Sequence, residues 1–453
     1  MEIGAKMSKA DSKLELLSGL LDRAKAAGAS SADALFVESV SLSVARRLGN
    51  PENLERSESA DLGLRAFVGN RQAIVSSSDT SEDALNELVS RVVAMAKSVP
   101  EDLYCGLADP EQLATDIPDL DMCDDLEPDT KVMEDWAQEA EDAARAIKGV
   151  TNSEGAEAGW GRYSVALASS NGFTQAYSRS GSSLSVSVIA GSGTGMERDY
   201  NYTSAVYASD LMGAQEIGRS AGEKSVRRLN PRKVETGQVP VVYDPRVSRS
   251  IVGHLAGAVS GTAVARGTTF LKDSLNQEIF PTSVNIIDNP LRTRGLRSKP
   301  FDGEGLATRP VNIIENGRLT TWVMDLRSAR QLGLESTGHA SRGTSGPPSP
   351  STSNLYLEAG TQSPADIIKN IKAGFYITEL IGFGVNQVTG DYSRGASGFW
   401  IENGEITYPV SEVTVAGKLK DMFANITPAD DLEFRYGTDA PTLLIEGMMV
   451  AGI

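Results

Sequence analysis

Histidine and cysteine are scarce in this chain of 453 residues, which has two of each. The cysteines, Cys105 and Cys123, lie in or beside an acidic stretch, and a disulfide scaffold or a cysteine-based zinc site would need more of them. They are expected as free thiols. The histidines, His254 and His339, are too few for a zinc-peptidase helix, which places two imidazoles on one face with a glutamate that activates the metal-bound water. Basic charge is short as well: 43 Lys and Arg against 60 Asp and Glu leave a net charge of -17. Phosphate backbones would be repelled and no counterion release would favour binding, which excludes nucleic acid as a partner. Apolar runs of membrane-spanning length are missing. Residues 1–17 mix Glu2, Lys6, Lys9, Asp11, Lys13 and Glu15 without the apolar stretch of a signal peptide. These absences point to a cytoplasmic protein with no membrane partner.

What is present is the composition of a globular protein, 40% hydrophobic and 23% charged, on a chain long enough for more than one core. Leu14, Leu17, Leu20, Leu21 and Ala24 recur at helical spacing over 12–27, and Gly28 is placed to end that helix. Val40, Leu42 and Val44 alternate with serines as in a strand with one wet face, and 62–68 and 73–76 read as a hairpin across Gly69-Asn70. Helices are expected over 81–98 and 131–148. Between them, 108–130 holds acids and prolines but no basic residue, the pattern of a solvated loop, and it lacks the ligand order of a calcium loop. Strands follow at 164–169, 173–178 and 184–189, with Asn171-Gly172 as a type I′ turn signal, then a helix at 209–229.

The polar stretch 230–237 reads as a domain boundary. Beyond it come a strand at 239–243, a helix over 245–260, and mostly strands. Asn316-Gly317 and Asn403-Gly404 each sit in an Ile-Glu-Asn-Gly hairpin turn, and Ser363-Pro364 starts a helix that Gly374 is expected to end. Residues 341–354, rich in Ser, Gly and Pro, are expected as a long exposed or substrate-lining loop. The expected architecture is α+β in two domains: a mixed helix-and-sheet domain over 1–235 and a mostly antiparallel β domain over 236–453.

Two local patterns imitate catalytic motifs. Gly191-Ser192-Gly193-Thr194-Gly195 has neither the full dinucleotide spacing nor a P-loop lysine, and reads as a flexible turn. Gly218-Arg219-Ser220-Ala221-Gly222 fits Gly-x-Ser-x-Gly but sits inside a helical stretch, where Ser220 would not be presented as a nucleophile.

One resemblance covers nearly the whole chain, from about Leu35 to Gly452. The run Gly-Phe-Gly-Val-Asn-Gln-Val-Thr-Gly-Asp-Tyr-Ser-Arg-Gly-Ala-Ser-Gly at 382–398, continuing through 400–404 to Tyr408-Pro409-Val410-Ser411-Glu412, resembles the signature of the PmbA (TldE) branch of the TldD/PmbA family. Supporting segments are Asp302-Gly303-Glu304-Gly305, Glu335-Ser336-Thr337-Gly338 and Gly63-Leu64-Arg65-Ala66-Phe67-Val68-Gly69. The resemblance implies a two-domain cytoplasmic subunit that pairs with a TldD-type chain to degrade or process unfolded peptides. In the TldD-type chain a helix with His-Glu-x-x-x-His, aided by a C-terminal Cys, binds the metal. On this chain Gly253, His254 and Ala258 stand at those three positions, and 432–438 contains no Cys.

The expected role is therefore a non-metal-binding partner subunit of a metallopeptidase, with no cofactor of its own, no catalytic residue of its own, and zinc in the TldD-type partner. His254, Asp391, Tyr392 and Arg394 are the candidates to face the peptide substrate or the partner. The segments 382–398 and 341–354 would form the wall that holds an extended peptide; the alternative for the first is a tight β corner. Two rivals stay open. One is a peptidase-independent homodimeric binding protein acting on a protein partner, in line with the older family description as a modulator of DNA gyrase. The other is a metal-free enzyme using His254 as base.

Overall fold

Residues 9–452 are described by a computed structural model; of the charged stretch at 1–17, residues 1–8 lie outside that range. Helix α1 (Lys9–Ala26) buries Leu17, Leu20, Leu21 and Ala24, and Gly28 ends it with a φ of 105°. Strands β1 (Ser31–Arg47), β2 (Asn50–Val68) and β3 (Arg71–Ser77) precede α2 (Glu82–Ser98) and α3 (Thr130–Arg145). Strands β4 (Val150–Ser169), β5 (Thr174–Ala190) and β6 (Glu197–Ala205) then lead to α4 (Ala214–Arg227). The six strands form one antiparallel sheet in the order β3-β2-β1-β4-β5-β6.

Strand periodicity assigns its faces. Even positions of β1, such as Ala34, Phe36, Leu42 and Val44, pack under the helices, whereas odd positions such as Leu35 and Val37 join Phe173 and Phe301 on the opposite face. Two expectations change here. The stretches 173–178 and 184–189 belong to the single strand β5, because β4 pairs along it without a break through Gly161↔Gly181 and Trp160↔Ser182; ladder pairing overrides the weak strand propensity of Arg179-Ser180-Gly181-Ser182-Ser183. The β4–β5 turn has positive φ only at Gly172, at 106°, and Ser169 bonds across three loop residues to Phe173, so it is not a type I′ turn. Helix α4 starts at Ala214 rather than 209, after a separate one-turn helix.

The acidic segment after α2 is irregular, as expected, but it is not simply solvated. Leu120, Met122 and Asp124 are buried, Ser180 donates to the Met122 carbonyl at 2.9 Å, and Arg56 and Arg162 bind Glu127 and Asp125. It lies along β5 and ties to the second half of the chain through Asp121 and Arg294.

The C-terminal half opens with β7 (Gly237–Tyr243), α5 (Pro245–Ala258) and α6 (Gly261–Ala265). The short strands β8 (Ile286–Asp288), β9 (Val311–Glu315) and β10 (Arg318–Leu319) follow, then α7 (Leu326–Leu332) and β11 (Ala340–Ser341), β12 (Ser349–Pro350) and β13 (Leu355–Leu357). After α8 (Pro364–Lys369) come β14 (Ala373–Ile381), β15 (Asp391–Glu402), β16 (Glu405–Lys418), α9 (Leu419–Ala424), β17 (Ile426–Pro428), β18 (Thr438–Asp439) and β19 (Leu443–Ala451). Strands β16-β15-β14-β7-β19 form a sheet that closes on itself where β16 pairs with β19, and only the β14–β7 pair is parallel. A second, five-stranded sheet runs β10-β9-β8-β13-β18, and α5 packs between the two against Tyr243, Phe375 and Leu355.

Both Asn-Gly turns have positive φ at both residues, 48° and 77° at 316–317 and 50° and 85° at 403–404, as a two-residue type I′ turn requires. Ser363 caps α8 as expected, but the helix stops at Asn370, and Gly374 is a residue of β14. The fold is α+β: helices and an antiparallel sheet in the first half, a closed and largely antiparallel sheet in the second.

The stretch 341–354 differs most from its expectation. Instead of hanging free it forms the β11–β12 ladder and packs against the first sheet. Its Arg342 donates to Asp33 at 2.5 Å beside Arg65, which grips the same carboxylate, and all three side chains are almost fully buried. Thr344 binds Asp61, and its backbone lies so close to Gly63 that a Cβ there would collide with the Thr344 carbonyl. Burial pushes Asp33 up, but Arg342 and Arg65 outweigh that and hold it below the usual carboxylate range.

Candidate functional site

Helix α5 is built for its place. Asp244 caps it by accepting the Arg246 N–H at 3.0 Å, Pro245 fills its first position, and Ile251, Val252, Leu255 and Ala258 bury its apolar face. The opposite face carries Gly253, His254 and Gly257. His254 is half-buried with its ring edge-on to Tyr392, centroids 5.9 Å apart. Its Nε2 is buried and has no hydrogen-bond partner among the described residues. Burial, and then the positive charge of Arg394, push its pKa down to about 4. The site thus presents a neutral imidazole beside a guanidinium.

The other three candidates all come from the start of β15, and strand geometry separates them. Tyr392 and Arg394 point toward α5, and Asp391 points to the other face. Tyr392 is 2% exposed, so its side chain is enclosed among core residues, where Tyr243 donates a hydrogen bond to its hydroxyl at 3.4 Å. It supports His254 from below and is not at the surface. Asp391 is exposed and accepts the Thr389 hydroxyl at 2.6 Å, which closes the loop before β15. Arg394 donates to the Ile381 carbonyl at 3.3 Å.

The loop between β14 and β15 folds over α5. Gln387 donates to the His254 carbonyl at 3.4 Å, and Gly384 passes so close to Ser393 that a side chain would not fit, so the glycines do build a tight β corner. That corner also projects apolar groups: Phe383 is fully exposed, and Ile381 and Val388 are more than half exposed.

His339 has no part in this site. It is 2% exposed, with Nδ1 2.9 Å from Thr337 and Nε2 3.1 Å from Asp288, whose carboxylate also accepts from Ser353 at 2.7 Å. Among the described residues no group of three or more His, Cys, Asp or Glu side chains is arranged to hold a metal ion.

Reading the residues in order missed Phe383 and Gln387 as the projecting and anchoring members of the loop, although an aromatic between two glycines was a usable signal. It also missed Arg342, whose partner lies 309 positions away. The Gly-Leu-Arg segment at 63–65 and the Asp-Gly-Glu-Gly segment at 302–305 turn out to line the junction of the two halves. There Asp302 accepts the N–H groups of Glu304 and Leu306 from within its own turn and that of Ala340 from β11.

Comparison with known proteins agrees across the chain. Family models for the PmbA/TldA metallopeptidase match domain 1 at residues 32–96, the central domain at 122–229 and the C-terminal domain at 236–452. The chain is 39% identical over 442 residues to the metalloprotease PmbA of Escherichia coli O157:H7, covering 97% of this chain and 94% of that one. A Bacteroides thetaiotaomicron protein described as a candidate modulator of DNA gyrase superposes with a TM-score of 0.90 at 27% identity, over 98% and 99% of the two chains. TldE of Thermococcus kodakarensis shares the fold, with a TM-score of 0.86 over 96% and 100% of the chains at 19% identity. From its N-terminal sheet to its closed C-terminal sheet, this chain belongs to the PmbA/TldD family of peptidase-type proteins.

Proposed function

We propose that this chain is the non-metal-binding subunit of a two-chain metallopeptidase: a TldD-type partner carries the zinc and the hydrolytic chemistry, and this chain forms a wall over that site and holds an extended peptide. The observation that carries the reading is the donor set on α5. Where the resemblance implies three metal-site residues, the helix offers Gly253, His254 and Ala258, and the charged side chain that acts on His254 is the cation of Arg394. Zinc takes three or four imidazole, thiolate or carboxylate ligands, and a lone imidazole beside a guanidinium does not fit it. The name metalloprotease borne by the Escherichia coli relative then describes the pair.

The rest of the site suits recognition. The exposed Phe383, Ile381 and Val388 supply an apolar ledge, and Arg394, bonded to the Ile381 carbonyl, sets a cation beside it. An uncovered strand edge is available too: β3 pairs only with 62–68 of β2, which leaves 50–60 exposed along one side for backbone pairing to an extended peptide.

The test is peptidase activity and zinc content of this chain alone, of a TldD-type chain alone, and of their mixture. Activity in the mixture, with zinc retained by the partner and lost to a chelator, is the expected result. Zinc-dependent hydrolysis by this chain alone would refute the proposal.

A further inference from the structure

At the N-terminal end of α5, about two turns from His254, the two halves of the chain enclose a cavity of about 220 Å³ between Tyr200, Tyr202, Lys224, Arg246 and Tyr436. A smaller one of about 110 Å³ adjoins it and shares Lys224, Asp244 and Arg246. The acids around these cavities are engaged. Asp199 binds Arg246 at 2.7 and 3.1 Å, and Asp244 accepts the Arg246 N–H and the Tyr376 hydroxyl. Asp431 accepts from Thr442 at 2.8 and 2.7 Å, and Glu433 pairs with Arg435 at 2.6 Å.

Two donors are left over. Lys224 lines both cavities and makes no hydrogen bond or ion pair with the described residues, and Arg246 Nε is buried without a partner. Spare donors facing a cavity define a place for an incoming acceptor, although Asp199 and Asp244 already lie within electrostatic reach of Lys224. A single ammonium matches a monoanion, and the nearby Asp244, Asp431 and Glu433 disfavour a doubly charged phosphate. One wall is aromatic: the Tyr202 and Tyr436 rings lie 5.2 Å apart, and Tyr200 stacks on Tyr202 at 6.2 Å.

We propose that this cleft is a subsite for the carboxylate-bearing end of a peptide, with the carboxylate on Lys224 and Arg246 Nε and the terminal side chain against the tyrosines. Choosing a peptide end over another carboxylate rests on the peptide-holding role proposed above; the anion subsite itself does not. Neither needs the zinc-bearing partner, so failure of the pairing experiment leaves this one standing.

The experiment is isothermal titration calorimetry of the full chain with acetyl-Ala-Ala-Tyr, its C-terminal amide, acetate and inorganic phosphate, repeated on Lys224→Met and Lys224→Arg. The free-acid peptide should bind at least about tenfold more tightly than the amide, a ratio set by one charge-assisted contact. Lys224→Met should lose that preference and Lys224→Arg should keep it. Equal binding of acid and amide to the native chain overturns the proposal, whatever the variants do. Binding of acetate without the peptide overturns the peptide assignment, and preference for phosphate overturns the carboxylate.

Discussion

A half-buried imidazole beside an arginine has little freedom in its charge. His254 is neutral at physiological pH because both burial and Arg394 oppose its protonation. With two histidines in the chain, a ¹H NMR titration of the Cε1 protons resolves it directly, and His254→Ala assigns the signal. The midpoint should fall near 4, and Arg394→Gln should raise it; a midpoint at the unperturbed 6.5 would contradict the burial. The linkage has a definite sign. The folded pKa lies below the unfolded one, so the unfolded chain takes up the proton first, and stability should decline as pH falls from about 6.5 toward 4 while staying unaffected by this group above that. The scarcity of histidine and cysteine was legible in the sequence and set the argument about metal ligands. The neighbour that tunes His254 was not, because Arg394 sits on a strand 140 positions later and only the pairing of β7 with β14 and of β14 with β15 brings it there.

At the scale of elements, the Gly-Arg-Ser-Ala-Gly segment of α4 shows what a motif can conceal. Its glycines serve packing: a Cβ on Gly218 would collide with the Ala140 carbonyl on α3, and one on Gly222 would meet the Ala144 carbonyl at 2.7 Å. Alanine in an exposed helix interior is worth roughly 0.5–1 kcal/mol over glycine, but here the expected result is the reverse. Gly218→Ala should destabilise by about 1–3 kcal/mol, as overpacking does, seen as a lower midpoint in urea. Ser220→Ala should leave the activity of the two-chain mixture unchanged. Helices with an apolar stripe and a stop signal, such as α1 and α2, were readable in place, as were the two Asn-Gly hairpins. Residues 179–183 of β5 were not, since nothing in Arg-Ser-Gly-Ser-Ser favours a strand until β4 supplies a ladder along all five and β6 a second one from Ser182 onward.

In the whole molecule the two halves are joined by buried charge. Asp33 lies between Arg65 of its own sheet and Arg342 of the other half, and Arg342 Nε and Nη2 have no further partner among the described residues. Removing the shared carboxylate strands two buried cations, which costs about 3–5 kcal/mol. Asp33→Ala should therefore lower the unfolding free energy by that order in a denaturant titration, and limited proteolysis should cut first within 341–354. If stability is unchanged, the triad does not hold the junction. A second readout lies in Glu304, whose pKa burial and the nearby Asp302 push up to about 8. Its folded pKa lies above the unfolded one, so stability should fall as pH rises from the ordinary carboxylate range to about 8, and Glu304→Gln should flatten that decline.

Composition, periodicity and turn chemistry are local properties, and they were enough to establish an acidic α+β chain, the places of most helices and hairpins, and a helix that lacks the residues of a zinc site. They act between residues a few positions apart, where helical and strand geometry is decided. The tertiary structure alone decided that 341–354 is a packed strap and not a free loop, that Tyr392 lies beneath His254 while Asp391 turns away, and that Lys224 and Arg246 are left with spare donors in a cleft between the halves. Those outcomes depend on which buried charges and close backbone contacts meet across hundreds of residues, and that is settled by packing rather than by spacing along the chain.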